Sequence, residues 1–186
     1  MHVFTVGEGI KQARVFREMR HDAQLDLRIV SGNAGRFKYR FGHLWGYNGQ
    51  SPGPTIEVVE GDRVRIFVTN RLPEHTTIHW HGQRLPNGMD GVTGLTQPGI
   101  PPGKTFVYEF VARRPGTFMY HPHADEMVQM AMGMMGLFIV HPKDPAFMRV
   151  DRDFCFLLAA YDIDPGTYMP RVMRSEERRV GKECLR

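Results

Sequence analysis

Four of the nine histidines in this 186-residue chain fall in two tripeptides, His79-Trp80-His81 within "TIHWHGQ" and His121-Pro122-His123 within "FMYHPHADE". Imidazole nitrogen is a good ligand for copper, zinc and iron. Along an extended strand side chains alternate between faces, so residues i and i+2 project the same way, about 7 Å apart. Two imidazoles at that spacing hold different ions of a cluster or, with a local twist, share one. One His-x-His pair is common among ordinary surface and core histidines. Two pairs, each closing a strand-like run, point to a metal centre. Asp90 in "GMDG" is the acidic residue that follows the first pair. Ahead of Gly91 it also fits a plain turn aspartate.

Ligands of this kind need stiff supports, and the flanking sequence supplies strands. Residues 24–32 ("QLDLRIVSG") alternate, and residues 35–49 read as a second strand with an aromatic end. Residues 52–72 look like two strands around a turn at Gly61-Asp62, and "TTIHWHGQ" is another strand. A long Gly- and Pro-rich loop follows from Arg84 to Gly103. Residues 104–112, 116–123 and 136–142 complete the set, with a single turn or loop expected over "ADEMVQMAMGMM". Short strands separated by turn signals predict an all-β sandwich or barrel. Trp80 and Tyr120 are then expected on the faces opposite to their neighbouring histidines.

Composition narrows the classes. The formal charge is +4 and the pI about 9.3, but the basic residues are scattered. The densest cluster, "RSEERRVGKECLR", mixes five basic with three acidic residues and reads as a solvated tail rather than a nucleic-acid surface. No apolar run is long enough to span a membrane, and no signal peptide is visible at the N-terminus. Two cysteines, Cys155 and Cys184, make neither a disulfide framework nor a CxxC site. Three segments are expected: a first domain over 1–146, the start of a second over 147–173 opened by a strand in 152–164, and a charged tail over 174–186 whose native origin the sequence leaves open.

The run "YNGQSPGPTIEVVEGDRVRIFVTNRLPEHTTIHWHG", followed by "MDGVTGLTQPGIPPGKTFVYEF", "GTFMYHPH" and "GLFIV", resembles the N-terminal cupredoxin domain of the multicopper oxidases. That family includes laccases, cuprous oxidases and bacterial copper-resistance oxidases. The resemblance runs from about Tyr47 to His141, with the motifs in the family's order. It implies a cupredoxin-like Greek-key β-sandwich and a parent oxidoreductase that reduces O2 to water. In such enzymes eight histidines hold a trinuclear copper cluster between the first and last domains. The resemblance makes His79 a ligand of the type 2 copper and His81, His121 and His123 ligands of the type 3 pair. Asp90 matches an acidic residue associated with proton delivery during O2 reduction. The implied partners are the remaining cupredoxin domains, O2 and a reducing substrate (a phenol, an amine or a metal ion), with a periplasmic or extracellular setting.

Some family features are missing from these residues. The Cys–His site of the electron-accepting type 1 copper has no match, because Cys155 in "DFCFLL" reads as a buried strand residue. The other two histidine pairs are also absent, so the chain alone is not expected to be an oxidase. Pro98 stands where many laccases have a cysteine. His2, His21, His43, His75 and His141 read as structural or exposed. Six of the twelve methionines fall between Met119 and Met135. Thioether sulfur suits Cu(I), but packing is the expected role. The rival readings are a non-catalytic copper-binding or copper-tolerance module, a zinc hydrolase and a small electron carrier.

Overall fold

Alternating burial along the strands builds two facing sheets. The computed structural model describes residues 22–37, 40–144, 146, 150–159, 161, 162, 164, 166, 167 and 169–172. Eight strands occur among them: β1 (Asp22–Phe37), β2 (Arg40–Tyr47), β3 (Ile56–Val59), β4 (Arg63–Asn70), β5 (His79–His81), β6 (Thr105–Val111), β7 (Gly116–His121) and β8 (Gly136–His141). One sheet runs β2-β1-β4-β6 and the other β3-β8-β7-β5. A short helix, α1 (Glu126–Ala131), fills the β7–β8 connection. The architecture is the cupredoxin-like Greek-key β-sandwich that the motifs implied.

The core follows from the period of two. In β4 the alternate residues Val64, Ile66 and Val68 are buried, and in β6 Tyr108 and Phe110 are. These meet Ile56, Trp80, Tyr120 and Phe138 of the second sheet. Trp80 is the central piece: its ring lies 5.3–5.6 Å from those of Phe110, Tyr108 and Phe138. It therefore bridges the sheets, and its two flanking histidines must face away from the core. In β8 every residue from Gly136 to Val140 is buried, as an apolar run covered on both faces requires. Gly136 itself leaves room for Tyr120, whose ring a Cβ would enter.

Several boundaries differ from the sequence expectation. β1 runs through Gly32–Gly35 with only a register shift, so the expected second strand begins at Arg40 rather than residue 35. The halves of β1 have different partners, β4 in parallel and β2 in antiparallel. Around Gly61-Asp62 the chain does not fold back as a hairpin; it crosses from the second sheet to the first, pinned by Gly61 N–H to the Ala112 carbonyl at 2.8 Å and Ala112 N–H to the Asp62 carbonyl at 2.9 Å. The strand through "TTIHWHGQ" is regular only over His79–His81. Residues 150–159 carry no strand ladder, and Phe154, Phe156 and Leu158 are exposed there. Cys155 is accordingly half-buried, not a strand-core residue. The readings for His2, His21 and residues 174–186 lie outside the described residues. No described helix is long and apolar enough to cross a membrane.

Candidate metal centre

The lead-in to β5 is fixed before the first histidine is reached. Buried Asn70 donates to the Glu74 and Ile100 carbonyls, each at 2.7 Å, and accepts from Leu72 N–H at 2.8 Å. Thr76 and Ile100 exchange backbone hydrogen bonds. Ile78 N–H donates to the Tyr108 hydroxyl across the core at 2.9 Å. These bonds tie Asn70, Leu72, Thr76 and Ile78 to fixed partners, so β5 enters its sheet in a single register.

That register sets the histidines. β5 pairs antiparallel with β7, placing His79 opposite His121, Trp80 opposite Tyr120 and His81 opposite Met119. Directly opposed residues bring their Cβ atoms to about 5 Å. Trp80 and Tyr120 turn inward, as expected from alternation, and are fully buried. The His79 ring lies 5.6 Å from His81, 5.4 Å from His121 and 5.4 Å from His123. All four sequence-predicted histidines are thus brought together around His79.

Hydrogen bonds choose the nitrogens. His79 Nδ1 donates to the Asp90 carbonyl at 2.7 Å, and His121 Nδ1 donates to the Pro122 carbonyl at 2.9 Å. A carbonyl only accepts, so both Nδ1 atoms carry a proton, and in the neutral ring Nε2 is then the nitrogen whose lone pair can hold a metal. His81 Nδ1 lies 3.1 Å from His121 Nε2. At that separation both nitrogens can reach a single metal ion. One potential donor from each of His79, His81 and His121 lies within 4.8 Å of the others. His123 stands outside this trio, beyond the end of β7. Burial of His121 lowers its pKa, which favours the neutral, ligating ring.

Asp90 sits where the motif placed it, but it touches His79 in two ways. Its carbonyl accepts the short hydrogen bond, and its carboxylate Oδ1 lies 3.5 Å from His79 Nδ1. A 3₁₀ turn over Asn87–Met89 delivers it. Gly91, at φ +80°, lets the loop press on the strand: a Cβ there would collide with the Ile78 carbonyl oxygen. Glycine is required on both counts.

Three neighbours were not singled out from the sequence. Glu126 reaches His123 Nε2 at 3.5 Å and His121 Nδ1 at 3.8 Å. Thr77 accepts the His123 backbone N–H at 3.3 Å. Gln129 is fully buried and bonded to Thr76. The i, i+3 spacing from His123 is the one signal the sequence offered for Glu126, and it offered none for Thr77 or Gln129. Met132, Met134 and Met135 are buried, while Met127 is half exposed, so packing accounts for much of the methionine stretch. His75 is exposed, and His141 forms an ion pair with Glu57 on the far side of the second sheet.

Residues 31–145 match the family model described as "Multicopper oxidase". Copper resistance protein A of Escherichia coli is 37% identical over 131 residues, 70% of this chain and 21% of that protein. An L-ascorbate oxidase of Brassica rapa subsp. pekinensis is 40% identical over 125 residues, 63% of this chain and 21% of that one. Among solved structures, the Blue Copper Oxidase from Nitrosomonas europaea superposes with a TM-score of 0.64 at 41% identity, covering 67% of this chain and 40% of that chain. The multi-copper oxidase from Pseudomonas thermotolerans gives 0.64 at 36% identity, covering 67% and 30%. The chain spans about a fifth of the length of these two curated relatives.

Proposed function

Because the chain belongs to the multicopper oxidase family, we propose that it is the N-terminal cupredoxin domain of such an oxidase and supplies half the histidines of a trinuclear copper cluster. The observation that carries this is the convergence of His79, His81 and His121, with donors within 4.8 Å, on a face turned away from the core. The donor set fits copper: imidazoles, two with Nδ1 tied to a carbonyl so that Nε2 faces the site, are the ligands a borderline-soft ion takes.

In this reading His79 serves the type 2 ion and His81, His121 and His123 serve the type 3 pair. The 3.1 Å separation of His81 Nδ1 and His121 Nε2 favours a shared ion for those two, leaving the fourth histidine, His123, for its partner. When bound, copper supplies the one-electron steps and the O2 chemistry. The protein's own residues fix geometry and protons. The Asp90 carbonyl holds the His79 tautomer, and Asp90 Oδ1, a third exposed and beside the site, holds or passes a proton. Burial of His121 keeps water from one side. The remaining cupredoxin domains, with four further histidines and the type 1 site, cover the open side. O2, a reducing substrate (phenol, amine or metal ion) and a periplasmic or extracellular setting belong to the same proposal.

Copper titration of the full chain tests it. His79→Ala combined with His121→Ala abolishes most Cu(II) uptake while near-ultraviolet circular dichroism stays native. Uptake that survives the double change moves binding to the methionine stretch or to an adventitious site and overturns the reading. In an oxygen electrode the copper-loaded chain, with only half the ligands, consumes no O2 above a free-copper control. Sustained consumption lost on His81→Ala shows instead that association between copies completes the cluster.

A further inference from the structure

The strand ladder holds three of the four histidines, but β7 ends at His121 and leaves His123 without it. What keeps His123 in place lies in the helix that follows. Gln129, in α1, is fully buried, and its amide is spent on three consecutive residues of the lead-in to β5. Its Oε1 accepts from Thr76 Oγ1 at 2.6 Å. Its Nε2 donates to Glu74 Oε1 at 2.7 Å and to the His75 carbonyl at 3.0 Å. An apolar residue would fill this space too, yet it would tolerate sliding. A buried amide is satisfied only where its directional partners are, and leaving it unpaired is costly. The Thr77 hydroxyl adds a second link, accepting the His123 N–H at 3.3 Å and contacting the Thr93 hydroxyl at 3.1 Å. Thr93 belongs to the loop that carries Asp90, so three segments meet on one small polar network.

We infer that Gln129 is a positioning residue of the metal centre: its buried amide clamps α1, and with it the His121-Pro122-His123 turn, onto residues 74–76, setting His123 5.4 Å from His79. The inference rests on the copper reading above and concerns the placement of a ligand, not the reaction. Outer partners of metal ligands typically alter affinity by about 10–100-fold when removed.

The test uses the full chain and Cu(II) as the probe, with affinity from chelator competition and ligand geometry from electron paramagnetic resonance. Gln129→Leu weakens Cu(II) binding by about tenfold or more and changes the copper hyperfine pattern at a temperature where the protein is folded. Gln129→Glu sets two carboxylates against each other at Glu74 and weakens binding as well. Adding Glu74→Gln to it restores a donor–acceptor pair between positions 74 and 129, though not the bond to the His75 carbonyl, and with it recovers part of the affinity and moves the spectrum back toward wild type. A purely structural amide gives a different result: lower unfolding midpoints, with affinity and spectrum of the folded protein unchanged. That outcome, or an exchange pair that restores nothing, overturns the inference, and the exchange pair decides even where Gln129→Leu fails to fold. The His79→Ala/His121→Ala protein separates the two claims. If it keeps wild-type copper affinity, the metal-centre reading itself falls; if it loses copper while Gln129→Leu does not, only the clamp does.

Discussion

His79 donates its Nδ1 proton to the backbone carbonyl of Asp90, 2.7 Å away, while the Asp90 carboxylate stands 3.5 Å from the same nitrogen. One residue thereby fixes the ring through its main chain and remains free to act through its side chain. The two roles are separable by mutation.

Asp90→Asn keeps the main-chain carbonyl and the shape of the loop but removes the ionisable group. In the whole oxidase, copper content stays near normal while turnover with O2 falls, by about 10²–10⁴-fold if the carboxylate is the general acid–base group. Copper analysis alongside steady-state rates checks this. Unchanged turnover would leave Asp90 with its backbone role alone.

Gly91→Ala removes the other half of the arrangement. A side chain at φ +80° is strained by about 1–2 kcal/mol, and its Cβ also collides with the Ile78 carbonyl. The Asp90 carbonyl must then retreat from His79, so both stability and Cu(II) affinity fall. Gly94→Ala is the control, since Gly94 has a similar φ of +79° but open space around it. Equal copper affinity in the two variants would disprove the coupling.

Trp80 couples the site to the core. Trp80→Ala costs about 3–5 kcal/mol in denaturant unfolding, because its contacts to both sheets disappear. Trp80→Phe costs less: it keeps an aromatic ring, and it removes an indole N–H that has no hydrogen-bond partner among the described residues. Unfolding midpoints in urea rank the three proteins, and a phenylalanine variant as weak as the alanine one would contradict the packing argument.

His141 gives the fold a pH dependence away from the copper site. The hydrogen bond to Glu57 at 2.8 Å raises its pKa, burial opposes this, and the charges of Glu57 and Asp153 add to the rise. A raised histidine pKa stabilises the folded state fully below the unfolded value of about 6.5. The contribution is lost as pH rises through the folded value. Both side chains are about 30% exposed, so the pair is worth at most about 1 kcal/mol. Wild type should exceed His141→Gln in stability near about pH 5.5, with the gap closing near about pH 8.5. A pH-independent gap would assign the effect to packing.

The sequence by itself pointed to an all-β sandwich or barrel, and its motifs singled out His79, His81, His121, His123 and Asp90 as candidates for one site. Period-two alternation places His79 and His81 on one face and Trp80 on the other whatever partner β5 takes, so local chemistry was sufficient there. It did not determine that His79 lies opposite His121, because register depends on how Asn70, Thr76 and Tyr108 tie down the lead-in. Nor did it show that the turn at Gly61-Asp62 joins two different sheets, since a crossover and a hairpin need the same turn residues. The use of the Asp90 carbonyl and the burial of Gln129 against residues 74–76 were equally hidden. The first closes a loop back onto its own strand and the second joins residues 55 positions apart, and both contacts exist only once the elements pack, with no periodicity in either segment to announce them.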